Sequence, residues 1–198
     1  SFRGATVLVT GAGSGLGRAT AHAFAADGAN VVAIDRDAAA LAVLGDEFAA
    51  RGAGHLELEC DVTDASACAR AVDAAVERFG RIDVLVNNAG LSHRSGFAST
   101  GLDVIRRVME VHFFGAVNCT KSALPHLVAS RGLVIAISSV AGYTPLIART
   151  GYAASKHAMH GFFDSLRSEV SPQGVDVTIA CPSFIATNIG VNAIGGDG

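Results

Sequence analysis

The chain has 198 residues, of which 50% are hydrophobic and only 17% are charged, with a mean hydropathy of +0.40. This composition is typical of one folded domain with its own core. The net charge is −3 and the basic residues are scattered singly, so we expect no nucleic-acid partner. No apolar run approaches the roughly 20 residues of a membrane span, and the N-terminus lacks a signal-peptide pattern. We therefore expect a cytoplasmic protein without a membrane partner.

The cysteines show no metal-binding or disulfide spacing. Cys60, Cys68, Cys119 and Cys181 are far apart and form no C-x-x-C pair, and the seven histidines do not cluster with them. Isolated cysteines in such a chain behave as small apolar residues. We expect each to be buried, and we predict no metal site.

Apolar β-branched runs alternate with alanine- and leucine-rich segments at helical spacing. The pattern predicts strands over Val7–Val9, Asn30–Asp35, His55–Cys60, Val84–Val86, Leu133–Ser138 and Asp176–Cys181. It predicts helices over Arg18–Ala26, Ala38–Arg51, Asp64–Phe79, Leu102–Val128 and Tyr152–Val170. Asp64 is placed to cap its helix, and Pro125 should bend or interrupt the long fourth helix.

This alternation indicates an α/β fold, a doubly wound parallel sheet with helices on both faces in three α/β/α layers. No linker or change of composition divides residues 1–198, so we predict a single domain. Ligands of such sheets bind at the carboxyl ends of the strands.

A glycine-rich loop follows the first predicted strand. Gly11, Gly13, Gly15 and Gly17 are four glycines within seven residues. Glycine lets the backbone turn sharply and approach a ligand closely, and the amides of the following helix can then face an anion. Because glycine also marks ordinary turns, the loop alone leaves phosphate binding and a simple turn as alternatives.

Asp35 ends the second predicted strand, 18 residues after Gly17. A carboxylate there can accept hydrogen bonds from the ribose hydroxyls of an adenosine and would repel a 2′-phosphate. Arg36 could meet such a phosphate, but we expect its side chain to point the opposite way. The pattern therefore favours NAD over NADP, and the alternative role for Asp35 is to cap the next helix.

Five motifs occur in register along the chain: Thr10-Gly11-x-x-x-Gly15-x-Gly17, Asp61-Val62, Asn87-Asn88-Ala89-Gly90, Ser139 and Tyr152-x-x-x-Lys156. In order and spacing the whole chain resembles the short-chain dehydrogenase/reductase family. The resemblance implies a Rossmann fold that binds a nicotinamide cofactor. It also implies a homodimer or homotetramer, paired through the helices predicted over residues 102–128 and 152–170.

The resemblance carries specific positions into the predicted cofactor site. It implies that Asp61 and Val62 contact the adenine, that Asn88 and Gly90 lie against the cofactor and the central strand, and that Thr187 holds the nicotinamide carboxamide. The predicted cofactor-binding residues are Gly11, Ser14, Gly15, Leu16, Gly17, Asp35, Arg36, Asp61, Val62, Asn88, Ala89, Gly90, Tyr152, Lys156, Pro182, Ile185 and Thr187.

Tyr152 and Lys156 are four residues apart and therefore share a helix face. A free tyrosine has a pKa of about 10, and a cation about 4 Å away at an effective dielectric near 20 favours the phenolate by about 4 kcal/mol. The pair can therefore transfer a proton near neutral pH. Ser139 ends the fifth predicted strand and can hold the substrate oxygen against the phenol, whereas Ser138 should point the other way.

Three features depart from the family pattern. His112 stands where the family usually has an asparagine that supports a proton relay, so the relay can be kept, altered or lost; we include His112 as a fourth catalytic candidate. Ser183 follows Pro182 where glycine is common. The family usually continues beyond the position of Gly198, so we expect a substrate-covering region to be missing from this sequence.

These observations predict an NAD(H)-dependent oxidoreductase that interconverts a secondary alcohol and a ketone or aldehyde. Apolar residues predicted near the site favour a small-molecule substrate with a largely hydrophobic body; they are Leu91, Phe97, Tyr143, Leu146 and Ile147. His93 and Arg94 add a polar contact or form a solvated loop. The alternative function is a catalytically impaired NAD(H)-binding sensor or scaffold.

Overall fold

The computed structural model describes residues 1–183 and 193–198 and shows a six-stranded parallel sheet. The strands are β1 (Thr6–Thr10), β2 (Asn30–Asp35), β3 (His55–Glu59), β4 (Val84–Asn87), β5 (Leu133–Ile137) and β6 (Asp176–Ala180). Their order is β3-β2-β1-β4-β5-β6. The strand order reverses between β1 and β4, which opens a crevice at the carboxyl ends of these strands. The predicted doubly wound fold is confirmed.

Helices cover both faces of the sheet. They are α1 (Gly15–Ala26), α2 (Ala38–Ala50), α3 (Ala65–Phe79), α4 (Leu102–Met109), α5 (Gly115–Ser130) and α6 (Thr150–Val170). Neighbouring β1 residues serve opposite faces: Val7 packs in the core under α1 and α2, and Leu8 packs in the core under α3, α5 and α6. Asp64 caps α3 as predicted, because its carboxylate accepts hydrogen bonds from the Ser66 and Ala67 amides. Among the described residues, no helix combines the length and apolarity needed to cross a bilayer.

The long fourth helix differs from the prediction. The α-helix stops at Met109, a π-helical turn occupies Glu110–Phe114, and α5 then continues through Pro125. Pro125 removes the donor to the Lys121 carbonyl, and both residues lie on the exposed face, where water can hydrate that carbonyl. The predicted interruption at Pro125 is therefore wrong, and the alternative of a bend there stays a prediction. The α-helix is interrupted instead where His112 is buried.

Three cysteines that are distant in sequence meet in the core. Cys60, Cys68 and Cys119 are buried as predicted, and the sulfurs of Cys68 and Cys119 lie 3.5 Å apart. Cys181 is only half-buried. Across residues 1–183 and 193–198, neither these cysteines nor any other group of three His, Cys, Asp or Glu side chains has an arrangement that could hold a metal ion.

Candidate active site

The glycine-rich loop joins β1 to α1 with little space for side chains. Gly11 has a φ of +66°, and a Cβ there would lie 2.9 Å from the Cα of Ala89. A Cβ on Gly17 would overlap the carbonyl oxygen of Gly11. Larger residues would therefore separate α1 from the sheet and from the segment after β4.

Hydrogen bonds join this loop to the segment after β4. The Thr10 hydroxyl accepts from the amides of Asn88 and Ala89, both at 3.0 Å. The Asn88 side chain donates to the carbonyls of Thr10 at 2.9 Å and Gly11 at 3.2 Å. Asn88 therefore fixes the two loops that form the base of the crevice.

The amino end of α1 is free to bind an anion. Its cap residue, Ser14, makes no side-chain capping bond, and the first turn carries no acidic residue. The first amides of a helix have no partner within the helix, and together with the helix dipole they favour a negatively charged ligand. Ser14 and Gly15 line the crevice at this point.

A cavity of about 460 Å³ runs from this helix end to α6. It is lined by every predicted cofactor-binding and catalytic residue within the described part of the chain. These residues are Gly11, Ser14, Gly15, Leu16, Gly17, Asp35, Arg36, Asp61, Val62, Asn88, Ala89, Gly90, His112, Ser139, Tyr152, Lys156 and Pro182. The predicted residues Ile185 and Thr187 lie outside the described residues.

Asp35 holds its carboxylate on the wall of the cavity. One oxygen accepts from the Gly13 amide at 2.9 Å, and the other accepts from the Asp37 amide at 3.1 Å. The capping alternative is wrong, because Asp37 caps α2 by accepting from the Ala40 amide. Arg36 lines the cavity beside Asp35, and the direction of its side chain stays a prediction.

Lys156 brings a buried ammonium to the other end of the cavity. It is 4% exposed, and its Nζ donates to the Ile137 carbonyl at 2.8 Å and lies 5.7 Å from the centre of the Tyr152 ring. Burial lowers the pKa of Lys156 to about 7. Lys156 is therefore not fully charged at neutral pH, in contrast to the cation assumed from the sequence. A negative charge formed at the Tyr152 oxygen would raise the pKa of Lys156 and favour its protonated form.

The two serines after β5 have different surroundings. The Ser139 hydroxyl oxygen accepts from the Ala141 amide at 3.2 Å, so its own hydrogen remains available to a ligand. The Ser138 hydroxyl is buried without a hydrogen-bond partner among the described residues. It faces Gly142, where a Cβ would lie 2.8 Å from it. Both serines line the cavity.

His112 connects three segments around Tyr152. Its Nε2 lies 2.8 Å from the Leu91 amide nitrogen and 2.7 Å from the Leu91 carbonyl oxygen. Its Nδ1 lies 3.3 Å from the Ser155 hydroxyl, which is 2.7 Å from the Tyr152 carbonyl. Burial, followed by the charge of Lys156, lowers the pKa of His112, so its imidazole is neutral.

The directions of these hydrogen bonds depend on the tautomer of His112. With the proton on Nδ1, the Leu91 amide donates to Nε2, Nδ1–H donates to Ser155, and Ser155 donates to the Tyr152 carbonyl. With the proton on Nε2, Nε2–H donates to the Leu91 carbonyl and Ser155 donates to Nδ1. In both forms the imidazole links the segment after β4 to the first turns of α6.

The mouth of the cavity contains polar groups that sequence reasoning missed. Ser92 lines the cavity and accepts a hydrogen bond from Nη1 of Arg149, whose guanidinium carbon lies 5.9 Å from the centre of the Tyr152 ring. The available signal was the position of Arg149, three residues before Tyr152 and so about one helical turn away. Arg149 does not itself line the cavity and reaches its wall through Ser92; His93 and Arg94 do not line the cavity either.

The apolar lining is smaller than expected. Of the five apolar residues predicted near the site, only Leu91 lines the cavity, where Val111 and Ile137 join it. Phe97, Tyr143, Leu146 and Ile147 do not line it, and Ile147 is 99% exposed. These four residues are close to the motifs in sequence, but proximity in sequence does not determine the direction of a loop side chain.

Comparison with known proteins agrees with this geometry. The family model described as short chain dehydrogenase matches residues 5–194. The chain is 45% identical, over 99% of its own length, to dehydrogenase/reductase SDR family member 7B of Bos taurus, and spans 62% of that protein.

Two solved structures are also similar. A short-chain dehydrogenase/reductase from Burkholderia phymatum, solved with NAD, has a TM-score of 0.93 at 30% identity over 96% of this chain and 69% of that one. The 3-ketoacyl-(acyl-carrier-protein) reductase from Brucella melitensis, solved with NADH, also has a TM-score of 0.93, at 28% identity over 98% of this chain and 81% of that one. The chain belongs to the short-chain dehydrogenase family.

Proposed function

We propose that the protein is an NAD(H)-dependent oxidoreductase that interconverts a secondary alcohol and a ketone or aldehyde. The observation that carries this proposal is the single cavity shared by a free helix end, the Asp35 carboxylate, and Ser139, Tyr152 and Lys156. Membership of the family supports it, as do the complexes of two structural neighbours with NAD and NADH.

The residues present fit a dinucleotide. The glycine-rich loop leaves backbone where side chains would fill the crevice, and the uncapped end of α1 suits a pyrophosphate. Asp35 is fixed by two amides and can still accept hydrogen bonds from ribose hydroxyls, because each carboxylate oxygen has further lone pairs. The same carboxylate disfavours a 2′-phosphate, so we propose NAD rather than NADP.

The catalytic steps assigned to this chain are binding and proton transfer. When bound, the nicotinamide supplies or accepts the hydride. The Ser139 hydroxyl donates to the substrate oxygen and holds it beside the Tyr152 phenol, which gives up its proton as the carbonyl is reduced. Lys156 stabilises the resulting phenolate, and the reverse steps oxidise an alcohol.

The alternative of a binding protein without turnover gains no support from the described residues. Ser139, Tyr152 and Lys156 all line the cavity, and His112 is hydrogen-bonded to Leu91 and Ser155 rather than leaving a gap. The arrangement therefore favours an enzyme over a sensor or scaffold.

Replacing Tyr152 by phenylalanine tests the proposed reaction. The full-length protein and its Tyr152→Phe variant would be assayed for NADH binding by fluorescence and for reduction of a panel of ketones and aldehydes. We expect the variant to bind NADH like the wild type and to lose about 100-fold or more in kcat, because the phenol is the proton donor. Equal turnover by the two proteins, or no turnover of any carbonyl by the wild type, would contradict the proposal.

A further inference from the structure

Arg149 presents a cation without a carboxylate partner near the substrate end of the cavity. None of the ion pairs among residues 1–183 and 193–198 includes Arg149. Residues 184–192, which the structure does not describe, contain no Asp or Glu. A guanidinium forms its strongest hydrogen bonds with carboxylates and phosphates, and no acidic side chain of this chain pairs with Arg149.

The guanidinium is held in place by its neighbours. Its Nη1 donates to the hydroxyl of Ser92, a residue that is 3% exposed and lines the cavity. The backbone beside it is also fixed: the Ala148 carbonyl accepts from the Ser95 amide at 3.1 Å, and the Arg149 carbonyl accepts from the Ala153 amide at 2.8 Å. A guanidinium has five N–H donors, and only the bond to Ser92 is formed within the described residues. The remaining donors have no acceptor among the described residues.

Charge is distributed unevenly along the cavity. The acidic lining residues Asp35, Asp37 and Asp61 lie, together with Arg36, around the glycine-rich loop and the ends of β2 and β3, whereas the Tyr152 end is lined by Lys156 with Arg149 beside it. Burial and the charge of Arg149 lower the pKa of His93, which disfavours its charged form. Arg149 therefore gives the substrate end a positive charge, which favours an anion.

We propose that Arg149, supported by Ser92, binds an anionic group of the substrate. The substrate is then a ketone or secondary alcohol that carries a carboxylate or phosphate, with its apolar part against Leu91 and Val111 of the cavity wall. An arginine edge matches both oxyanions, since each presents two oxygens to parallel N–H groups. This inference rests on the proposed function, which supplies the carbonyl chemistry, and adds the class of substrate.

Matched pairs of substrates test the inference. The full-length protein would be assayed with a keto acid and its methyl ester, and with a keto phosphate and the corresponding neutral hydroxyketone. We expect kcat/KM to be about 10-fold or more higher for one or both anionic members, because hydrogen bonds to charged groups contribute most when buried. The larger ratio identifies carboxylate or phosphate as the preferred group.

Variants assign the preference to Arg149. Arg149→Leu should bring the anionic-to-neutral ratio of kcat/KM close to one, mainly through KM, and Arg149→Lys should restore part of it. Arg107→Leu, which removes the same charge from the exposed face of α4, is the matched control and should leave the ratio unchanged. Calorimetric binding of a non-reducible carboxylate to the NADH-loaded protein should weaken in Arg149→Leu and not in Arg107→Leu.

The outcomes separate this inference from the proposed function. If neutral and anionic carbonyls are reduced equally well, or if Arg149→Leu keeps the wild-type ratio, the anion site is wrong and the oxidoreductase stands. If no carbonyl is reduced but the carboxylate still binds through Arg149, the anion site stands and the reaction is wrong. Thermal unfolding of each variant shows whether a lost preference comes from a lost fold.

Discussion

Lys156 places its ammonium in a buried environment, and this has a consequence for stability. Burial lowers its pKa from the ordinary value of 10.5 to about 7. Between these two values the unfolded chain binds more protons than the folded chain does, so the free energy of unfolding rises with pH across this window. The buried lysine therefore lowers the stability of the folded chain near neutral pH.

Replacing Lys156 by methionine should raise the stability of the protein near neutral pH and abolish its turnover. At pH 7 the variant should unfold with a free energy about 2 kcal/mol or more above that of the wild type, since each pKa unit corresponds to about 1.4 kcal/mol. The advantage should shrink as the pH approaches 10, and turnover should be lost. Denaturant unfolding at a series of pH values measures this; a difference that does not change with pH would contradict the buried cation.

The contribution of His112 to activity and stability should come from its hydrogen bonds rather than from gaining or losing a proton. Asparagine can accept from the Leu91 amide and donate to a neighbour, whereas leucine leaves the Leu91 amide without its side-chain acceptor and removes the contact with the Ser155 hydroxyl. We expect His112→Asn to keep most of the activity and the wild-type pH profile. We expect His112→Leu to lose about 1 to 3 kcal/mol of stability and to lower kcat.

The exposed His157 on α6 provides the matched control for His112. His157→Leu should change neither kcat nor the unfolding free energy by the amount seen for His112→Leu. A proton-relay role for the imidazole would instead shift the pH profile of His112→Asn. That shift would contradict a role in which His112 only holds Leu91 and Ser155 in place by hydrogen bonds.

The sequence predicted which residues form the site more reliably than it predicted the burial and the hydrogen-bond partners of those residues. Tyr152 and Lys156 could be paired because four-residue spacing on a helix fixes a shared face. The pKa of Lys156 could not be predicted, because its burial comes from segments distant in sequence. Arg149 could not be predicted for a similar reason: its guanidinium is positioned by a hydrogen bond to Ser92, and only folding brings these two residues together.

At the scale of elements, the π-helical turn Glu110–Phe114 and the start of α5 couple the long helix to the cofactor cavity. The turn buries His112, and Gly115 follows it directly. A Cβ on Gly115 would lie 2.6 Å from Cγ2 of Val62, a residue that lines the cavity near Asp61. The glycine therefore lets α5 approach the wall of the cavity.

Two Gly→Ala substitutions in helices should have opposite effects. Gly115→Ala forces Val62 to move, so we expect weaker NADH binding and a loss of about 1 to 3 kcal/mol from overpacking. Gly161→Ala, inside α6, meets nothing within 4 Å and should stabilise by about 0.5 to 1 kcal/mol through helix propensity. Thermal unfolding and NADH titration of both variants measure this. Equal effects would show that Val62 does not restrict this position.

The sequence predicted where most elements lie but not how the long helix is interrupted. Hydrophobic periodicity and the Asp64 cap placed the other helix and strand ends within a few residues. The π-helical turn carries His112, which contacts Leu91 and Ser155, and a local sequence pattern does not contain such contacts. Pro125 is the stronger local signal, yet its exposed position lets α5 continue through it.

At the scale of the whole molecule, the parallel sheet gathers residues that are far apart in sequence. Because every strand points the same way, the segments after β1, β2, β4 and β5 meet at one edge, and the reversal between β1 and β4 opens the cavity there. This rule made the shared site predictable from motifs alone. The distances, the charge polarity and the apolar wall of the cavity required the folded chain.

Transfer of deuterium from NADH to the substrate tests the central claim most directly. The full-length protein would be incubated with NADH deuterated at nicotinamide C4, on each face in turn, and with a ketone that it reduces. Mass spectrometry would then locate the label in the alcohol. We predict one deuterium on the carbinol carbon from one of the two labelled cofactors, and none above background with Tyr152→Phe over the same time. Alcohol formed without deuterium from either cofactor would contradict the proposed hydride transfer.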